Sequence, residues 1–533
     1  MGRGRRGEAD SVGVGGGSGG AAAAGRLSEG GKFSVALLEA GGRNTGLRTR
    51  IPAFLAFQTD KTNWNYETVP QAGLNGRRGH QPRGKGLGGS SAINAMIYIR
   101  GNRWDYDNWA AMGCPGWSYD EVLPWFKRSE HNVRRGDAYH GGDGPLWVSD
   151  QKFANPGSLD FIEAGASLQI PRNMDFNGER QEGIGLYQVT QKNGERWTSA
   201  RAYLGDRPAN PDLHILTGVT AERVLFDEGR VWGVAYLQDG QSKVIRARRG
   251  VILAGGVFGT AQLLMLSGIG PGVHLREKGI AVRVDRPAVG SNLQDHIDYV
   301  AAFETPGTEF VGSSLKGTLA MGSAFFQWLR KRQGMMTTPF AEAGAFLTVS
   351  PDAPAPDVQL HFVIAALEDH GRTKVPGHGF SCHVCVLRPE SHGTVRLASV
   401  DARAAPLIDP AFFSDSRDME VMKRGVRAMY RILETAPLSN HKGRDRYPID
   451  LNDDDALERL IRARADTVYH PVGTARMGSD DAAVCDPRLR VRGVEGLYVA
   501  DASVMPKLIS GNTNAPSIMI GERCADFVTA DLG

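Results

Sequence analysis

The stretch "VGVGGGSGGAAAAGRL", Val12 to Leu27, decides how the rest of the chain is read. Glycine, serine and alanine at this density describe either a flexible tether or the first turn of a nucleotide site. The flanks separate the two. "DSVGV" is a short strand candidate, and "SGGAAAAGRLSE" is alanine-rich enough to begin a helix. "GGK" then turns the chain, and "FSVALLEAGG" is the apolar run of a buried parallel strand that ends in Glu39. Strand, glycine turn, helix and strand make a βαβ unit. Within it Gly15, Gly17 and Gly20 fit G-x-G-x-x-G, and Glu39 follows about 20 residues later. Gly15 permits the tight turn, Gly17 lets the backbone approach a pyrophosphate, and Gly20 lets helix and strand close on each other. The helix N-terminus offers unpaired N–H groups to phosphate, and the carboxylate at the strand tip can accept both hydrogen bonds of a ribose. The unit predicts a dinucleotide site and does not distinguish NAD from FAD.

The 533 residues allow more than one lobe, and 41% hydrophobic with 23% charged residues is ordinary globular composition. With 62 basic against 59 acidic residues the net charge is only +3, which gives no general pull toward nucleic acid. The 68 glycines call for a use, and close backbone approach to a large ligand is one. No run approaches the ~20 apolar residues of a membrane span. The basic opening "MGRGRRGEADS" leads into glycine and makes a poor secretory signal. Five cysteines point to a reducing, cytoplasmic setting. Cys382 and Cys385 lie in a strand-like "GFSCHVCVLRP", where residues three apart face opposite sides, so neither a metal site nor a disulfide is expected there. In "AMGSAFFQWLRKRQG" aromatics stand beside a basic run. A packed helix whose cationic end complements its own dipole is the plainer reading, and peripheral contact with the inner membrane stays open. "VQLHFVI" alternates Val358, Leu360, Phe362 and Ile364 like a half-buried strand, "PDAPAPD" is a loop, and Asp453 to Asp455 cap the helix "ALERLIRARA".

Further motifs settle the cofactor. "QPRGKGLGGSSAINAMIYIRGNRWDYDNWA" runs from Gln81 to Ala110 and "GVILAGGVFGTAQLLMLSGIGP" from Gly250 to Pro271. "YHPVGTARMG", "GLYVADASVMP" and "SGNTNAPSIMIGERCADF" follow near the C-terminus. In this order, over nearly the whole chain, they resemble the glucose–methanol–choline (GMC) family of FAD-dependent oxidoreductases. "LYQVTQKNGERWTSARAYL" and "YHPVGTARMG" are similar to the bacterial alcohol dehydrogenases that use an acceptor other than NAD, of alkanol and polyethylene glycol type. Choline dehydrogenase is the next nearest resemblance. The family implies an α/β fold: a Rossmann-like FAD-binding lobe from residues 1–150, 205–300 and 465–533, interleaved with a substrate lobe from 151–204 and 301–464 built on an antiparallel sheet with helices.

Oxidising a primary alcohol to an aldehyde removes a proton from oxygen and a hydride from carbon. FAD accepts the hydride, so the protein must supply a base, and a group with a pKa near neutrality suggests histidine. Among 13 histidines the resemblance singles out His470 of "YHPVGTARMG". It also places Asn512 of "SGNTNAP" as the partner that donates a hydrogen bond to the alcohol oxygen, with Asn514 supporting the flavin. By position Gly15, Gly17, Gly20 and Glu39 hold the ADP half, and the Ala221 backbone lies near adenine. Gly89, Asn94, Ala95 and Met96 line the isoalloxazine, while Asp501 and Ala502 hold the ribityl–pyrophosphate region. A helix starting near Pro516 points its positive end at the flavin. The alcohol is the small-molecule partner, and the electrons go on to a quinone or similar acceptor.

Three departures from the family pattern stand out. Strand one reads Ser11, Val12, Gly13, Val14, which lowers its expected burial and β-propensity. Ala261 replaces a usual proline and is expected to loosen a helix start. Ile93 occupies the place of a histidine that links covalently to FAD in some members, so FAD is expected to be non-covalent. Alternatives within the family are choline oxidation, an oxygen-using alcohol oxidase and a lyase with structural FAD. A non-catalytic flavin-binding protein is the alternative of a different class, and His470 with Asn512 argues against it. Glu342 in "FAEAGAFL" is read as either a carboxylate for a substrate cation or half of a buried salt bridge.

Overall fold

The glycine stretch opens a strand–helix–strand unit: β1 (Glu8–Val14), α1 (Ser18–Leu27) and β2 (Val35–Glu39). A computed structural model describes residues 7–205, 210–373 and 375–532 of the chain, and the basic MGRGRR opening lies outside them. After β2 come α2 (Pro156–Ser167) and β3 (Gly183–Leu186). Next are β4 (Leu213–Thr217), β5 (Thr220–Asp227), β6 (Arg230–Gln238), β7 (Gln241–Leu253) and α3 (Gly256–Leu266). Then follow β8 (Ile297–Thr305), β9 (Gly312–Ser313), α4 (Leu315–Lys331), β10 (Ala341–Leu347), β11 (Val358–Val363) and β12 (Gly377–Val386). The chain ends with α5 (Ser416–Leu433), α6 (Asp454–Arg464), β13 (Asp466–Thr467), β14 (Leu497–Val499) and α7 (Asn514–Leu532).

Two sheets result. The first has the order β4-β2-β1-β7-β6-β5, with β14 beside β7. Its β1, β2, β4, β7 and β14 run parallel, and β5, β6 and β7 form an antiparallel meander. The second has the order β13-β8-β12-β11-β10-β3, with β9 beside β12, and every pairing is antiparallel. Helices α2 and α5 pack on one face of this sheet.

Several expectations need correction. β1 was expected to be poorly buried, but it starts earlier, at Glu8, and Ser11 to Val14 are buried between β2 and β7. The small residues of β1 and the buried Ala21 to Ala24 let α1 lie close to the sheet and to α7. Ala261 is fully buried in the middle of α3, so it sits at no helix start. β11 keeps its alternation but is buried on both faces. Val358, Leu360 and Phe362 meet the helices, while His361 turns toward an internal cavity instead of water and Gln359, also buried, bonds Asn512.

α4 is only partly the packed helix expected. Trp328 is fully buried and its indole N–H donates to the Gly194 carbonyl at 2.7 Å. Arg330 and Lys331 do complement the C-terminal end of the dipole. Yet Leu315 (79% exposed), Leu319 (67%) and Phe326 (64%) form an open apolar stripe, with Leu329 beside it. Among the described residues no helix is long and apolar enough to cross a membrane. Asp453 caps α6 by accepting from the Ala456 N–H at 2.9 Å. Cys382 and Cys385 face opposite sides of β12: Cys382 joins the helix-side core and Cys385 the cluster around Tyr187 and Phe346.

Candidate functional site

A cavity of about 1270 Å³ runs between the two sheets. Its first-sheet end is built from backbone. Gly15 has φ +102°, and a Cβ there would sit 2.2 Å from the Ala254 carbonyl oxygen. A Cβ on Gly20 would lie 2.0 Å from the Gly15 oxygen, so Gly20 closes α1 on β1. It does not line the cavity, which corrects its assignment as a direct cofactor contact. Gly17 does line it: a Cβ would meet nothing nearer than Gly89 Cα at 3.8 Å, leaving the start of α1 open without a side-chain cap. Such a helix end is an anion site, because its first N–H groups have no partner inside the helix.

Glu39 stands at the tip of β2. Its Oε2 accepts from the Gly16 N–H at 2.8 Å, and its Oε1 from Gly41 and Gly86 at 2.8 and 2.9 Å. A carboxylate has about four lone-pair sites, so three bonds leave room for one of the two ribose bonds expected. The carboxylate therefore also ties three glycine loops together. Asp501 is similarly engaged, accepting from Gly256 N, Thr260 Oγ1 and Ser503 N at 2.9, 2.6 and 2.8 Å. Asn514 opens α7 itself, and its Oδ1 accepts from Ser18 Oγ at 2.7 Å, which sets the N-termini of α1 and α7 side by side. Ala221 and Ala502 complete this wall. The glycine opening, the helix end and the carboxylate fit the ADP half of FAD.

Further along, Gly89, Ile93, Asn94, Ala95 and Met96 line the middle of the cavity. Asn94 Oδ1 accepts from the Met96 N–H at 3.0 Å and from Arg196 Nη1 at 2.9 Å. Arg196 is fully buried, and burial lowers its pKa to about 9. Met96 and Tyr469 both hold left-handed backbone (φ 61° and 74°) where they border the cavity. Strain of this kind persists only where the surroundings hold it, as they do at functional sites.

The second-sheet end is built from side chains. His470 and Asn512 meet there, with Nε2 and Nδ2 3.1 Å apart. The remaining bonds fix the direction of each. Leu387 offers a carbonyl 3.0 Å from His296 Nε2, so that nitrogen carries the proton. Burial lowers the His296 pKa to about 4, which leaves the ring neutral and its Nδ1 bare. His470 Nδ1, 3.0 Å from His296 Nδ1, must therefore donate, and His470 Nε2 keeps its lone pair. Gln359 Nε2 donates to Asn512 Oδ1 at 3.2 Å, turning the Asn512 NH₂ toward that lone pair. Gln359 is held by Tyr187 Oη at 3.0 Å, and Tyr187 by the Leu360 carbonyl at 2.7 Å. Asp295 accepts from the His470 backbone N–H at 2.9 Å.

The expectation of a base with a pKa near neutrality does not hold. Burial, then the neighbouring His296, His361 and Arg83, push His470 well below the ordinary histidine value. Burial therefore favours the neutral ring, the form that can accept a proton. The sequence reading missed His296, Gln359 and His361 altogether. Two polar residues in the otherwise apolar β11 were the available signal for Gln359 and His361; nothing local marks His296.

Glu342 matches neither reading offered for it. It is fully buried on β10, away from the cavity, and among the described residues it has no cationic partner. Its Oε2 accepts from Asn155 N and Ser158 Oγ at 2.6 and 2.8 Å, and its Oε1 from Thr338 Oγ1 at 2.6 Å. Burial raises its pKa. It braces the start of α2 against β10.

The GMC oxidoreductase profiles match residues 9–298 and 389–521. The chain is 43% identical to the alcohol dehydrogenase [acceptor] of Pseudomonas putida over 97% of its own length and 94% of that protein. It is 41% identical to the oxygen-dependent choline dehydrogenase of Rhizobium johnstonii, over 98% and 95%. Among solved structures, pyridoxine 4-oxidase from Mesorbium loti has a TM-score of 0.88 at 31% identity, covering 97% of this chain and 98% of that one. The formate oxidase of Aspergillus oryzae has a TM-score of 0.91 at 27% identity, covering 98% of each. The backbone cradle, the cavity and these matches agree: the chain belongs to the GMC oxidoreductase family, as an FAD-dependent oxidoreductase acting on CH–OH donors.

Proposed function

We propose that the enzyme oxidises a primary alcohol to an aldehyde, with His470 Nε2 as base and Asn512 Nδ2 as donor to the alcohol oxygen. The observation that carries this reading is the fixed tautomer of His470, which keeps a bare nitrogen beside an amide N–H at the second-sheet end of the cavity. An alcohol oxygen between the two would give its proton to Nε2 and receive a hydrogen bond from Asn512 as charge develops. FAD, when bound, supplies the hydride acceptor. The proton taken by His470 leaves its Nδ1–H aimed at His296, which gives the new charge a neutral acceptor. Gly15, Gly17, Glu39 and Ala221 hold the ADP half, Asp501, Ala502 and Asn514 the centre, and Gly89, Asn94, Ala95 and Met96 the ring. Ile93 offers no atom for a covalent link, so FAD is held non-covalently.

The test is anaerobic mixing with primary alcohols. Bleaching of the flavin is expected, followed by faster return of colour with a quinone than with oxygen. A flavin that no alcohol bleaches would overturn the reading. Glu342, the carboxylate considered for a choline cation, lies outside the cavity and does not serve as its site.

Peripheral membrane contact belongs to the same proposal. α4 contains no acidic residue, and Lys316, Arg330 and Lys331 flank its apolar stripe. Met321 on the same helix borders the cavity. Two copies meeting through this face would oppose their cations, whereas an anionic lipid surface complements them. Sedimentation with phosphatidylglycerol vesicles and not with phosphatidylcholine is expected, and Phe326→Glu should abolish it. Equal recovery in the supernatant with both lipids would exclude this contact.

A further inference from the structure

A second polar group stands in the cavity wall that the proton-transfer machinery does not use. His383 on β12 and Asp298 on β8 pair at 2.6 Å, His383 Nδ1 to Asp298 Oδ2. A carboxylate only accepts, so His383 Nδ1 carries the proton and its Nε2 is the outer nitrogen. That Nε2 and Asp298 Oδ1 are both buried, and neither has a hydrogen-bond partner among the described residues. Both residues border the cavity, and Asp298 is only 3% exposed. Bare buried polar atoms are costly, and they seldom persist without something to bond.

Their placement relative to His470 follows from the strand. His296 stands one residue before β8 and Asp298 within it, two residues apart in the sequence and so within about 7 Å along the backbone. His296 bonds His470, and His470, Asp298 and His383 all border the same cavity, so a substrate held at His470 can extend toward the bare atoms. Val300, Val363 and Leu367 supply apolar wall around them. A hydroxyl there can give its one proton to Asp298 Oδ1 or to His383 Nε2, both of which are acceptors. A plain alkyl chain leaves both atoms bare, and a site built for a hydroxyl rejects the analogue lacking it far more strongly than an apolar pocket rejects one methylene.

We propose that the Asp298–His383 pair is a subsite for a second hydroxyl of the substrate, so the enzyme prefers α,ω-diols and similar hydroxylated alcohols over monohydric alcohols of equal length. The inference rests on the alcohol-oxidation reading above and adds a substrate class to it.

The holoenzyme is compared on α,ω-diols from propanediol to hexanediol, each against the 1-alkanol of the same length. Perturbation of the visible flavin spectrum gives affinity, and anaerobic flavin bleaching gives turnover. At one or more lengths the diol should be favoured at least tenfold in kcat/KM and in affinity. Asp298→Asn, with His383→Gln as a second variant, should lower that diol-to-alkanol ratio at least tenfold while retaining bound FAD. Alkanols bound and oxidised as well as diols at every length would overturn the subsite and leave the alcohol reading intact, since water would then satisfy these atoms. Bleaching by no alcohol would overturn the alcohol reading, and the affinity comparison would still judge the subsite. Choline bound more tightly than every diol, with that preference lost in Asp298→Asn, would reassign the site to a cation.

Discussion

The two sheets meet the same cavity with opposite chemistry. The first presents backbone: the glycine turn after β1, the open end of α1, and a carboxylate at the tip of β2 that is itself held by glycine N–H groups. The second presents side chains: Asp298 from β8, His361 from β11 and His383 from β12, while Gln359 and His296 bond Asn512 and His470. Backbone donors cannot be changed by substituting a side chain, and they suit a ligand that is always the same. Side chains can be exchanged one at a time without disturbing the ladder, and they suit a ligand that differs between relatives. Changes on the second side should therefore alter the reaction with FAD still bound. Changes on the first should alter FAD retention with the reaction intact.

The sharpest break of that contrast is His470→Ala. Flavin reduction by alcohol should fall by roughly 10²–10⁴-fold through loss of the base alone, with FAD retained. Stopped-flow bleaching of the yellow protein checks both halves at once. Loss of FAD in this variant would mean that the two ends are not separable. Asn512→Ala should cost about 10²-fold in the same measurement, as for one lost donor to developing oxygen charge. If its only effect were on flavin content, Asn512 would belong to the cofactor side.

Glu39→Ala tests the first sheet. It removes one ribose bond and also strips the acceptor from Gly16, Gly41 and Gly86. Bonds to a charged acceptor contribute roughly 1.5–3 kcal/mol each, so FAD affinity should fall on the order of 10–100-fold. At saturating FAD the bleaching rate should match that of the unmodified protein. A slower rate at saturation would give Glu39 a part in the chemistry and blur the division.

The same contrast explains what the sequence made legible. Gly15, Gly17, Gly20 and Glu39 lie within one βαβ unit, where spacing along the chain is spacing in the fold. Asn94 and Asn512 were reached through the family resemblance, since nothing in their local pattern assigns a role. His296, Gln359 and His383 were not reached at all. They come from segments far apart in the chain that the fold brings together: Gln359 and His383 sit in apolar strands that read as ordinary core, and His296 in a polar stretch just before β8. β11 shows why: its alternation was read correctly, but the polar face was assigned to water because sequence does not reveal a cavity. Glu342 shows the converse error. A carboxylate among small apolar residues suggested a charge partner, yet three neutral donors satisfy it.

The smallest effect concerns the histidines that give the second sheet its polar face. Burial, with repulsion from His383 and His296, lowers the His361 pKa to about 3, against about 6.5 in the unfolded chain. Its folded value is depressed, so between these limits the unfolded chain takes up a proton that the native protein refuses. Stability due to this residue is whole above pH 6.5 and is lost as the pH falls toward 3, at about 1.4 kcal/mol per pH unit. Other groups titrate in the same range: burial raises Asp295 to about 6, which works in the opposite direction. Comparing the protein with His361→Gln cancels those shared terms. Urea denaturation of both at saturating FAD should show the variant less stable at pH 7. The gap should narrow by about 2 kcal/mol by pH 5, because only the unmodified chain carries the extra unfolded-state proton. A gap that stays constant with pH would mean that His361 charges freely in the native protein. The second sheet's face would then be wetter than its burial indicates, and the division between a backbone side and a dry side-chain side would have to be redrawn.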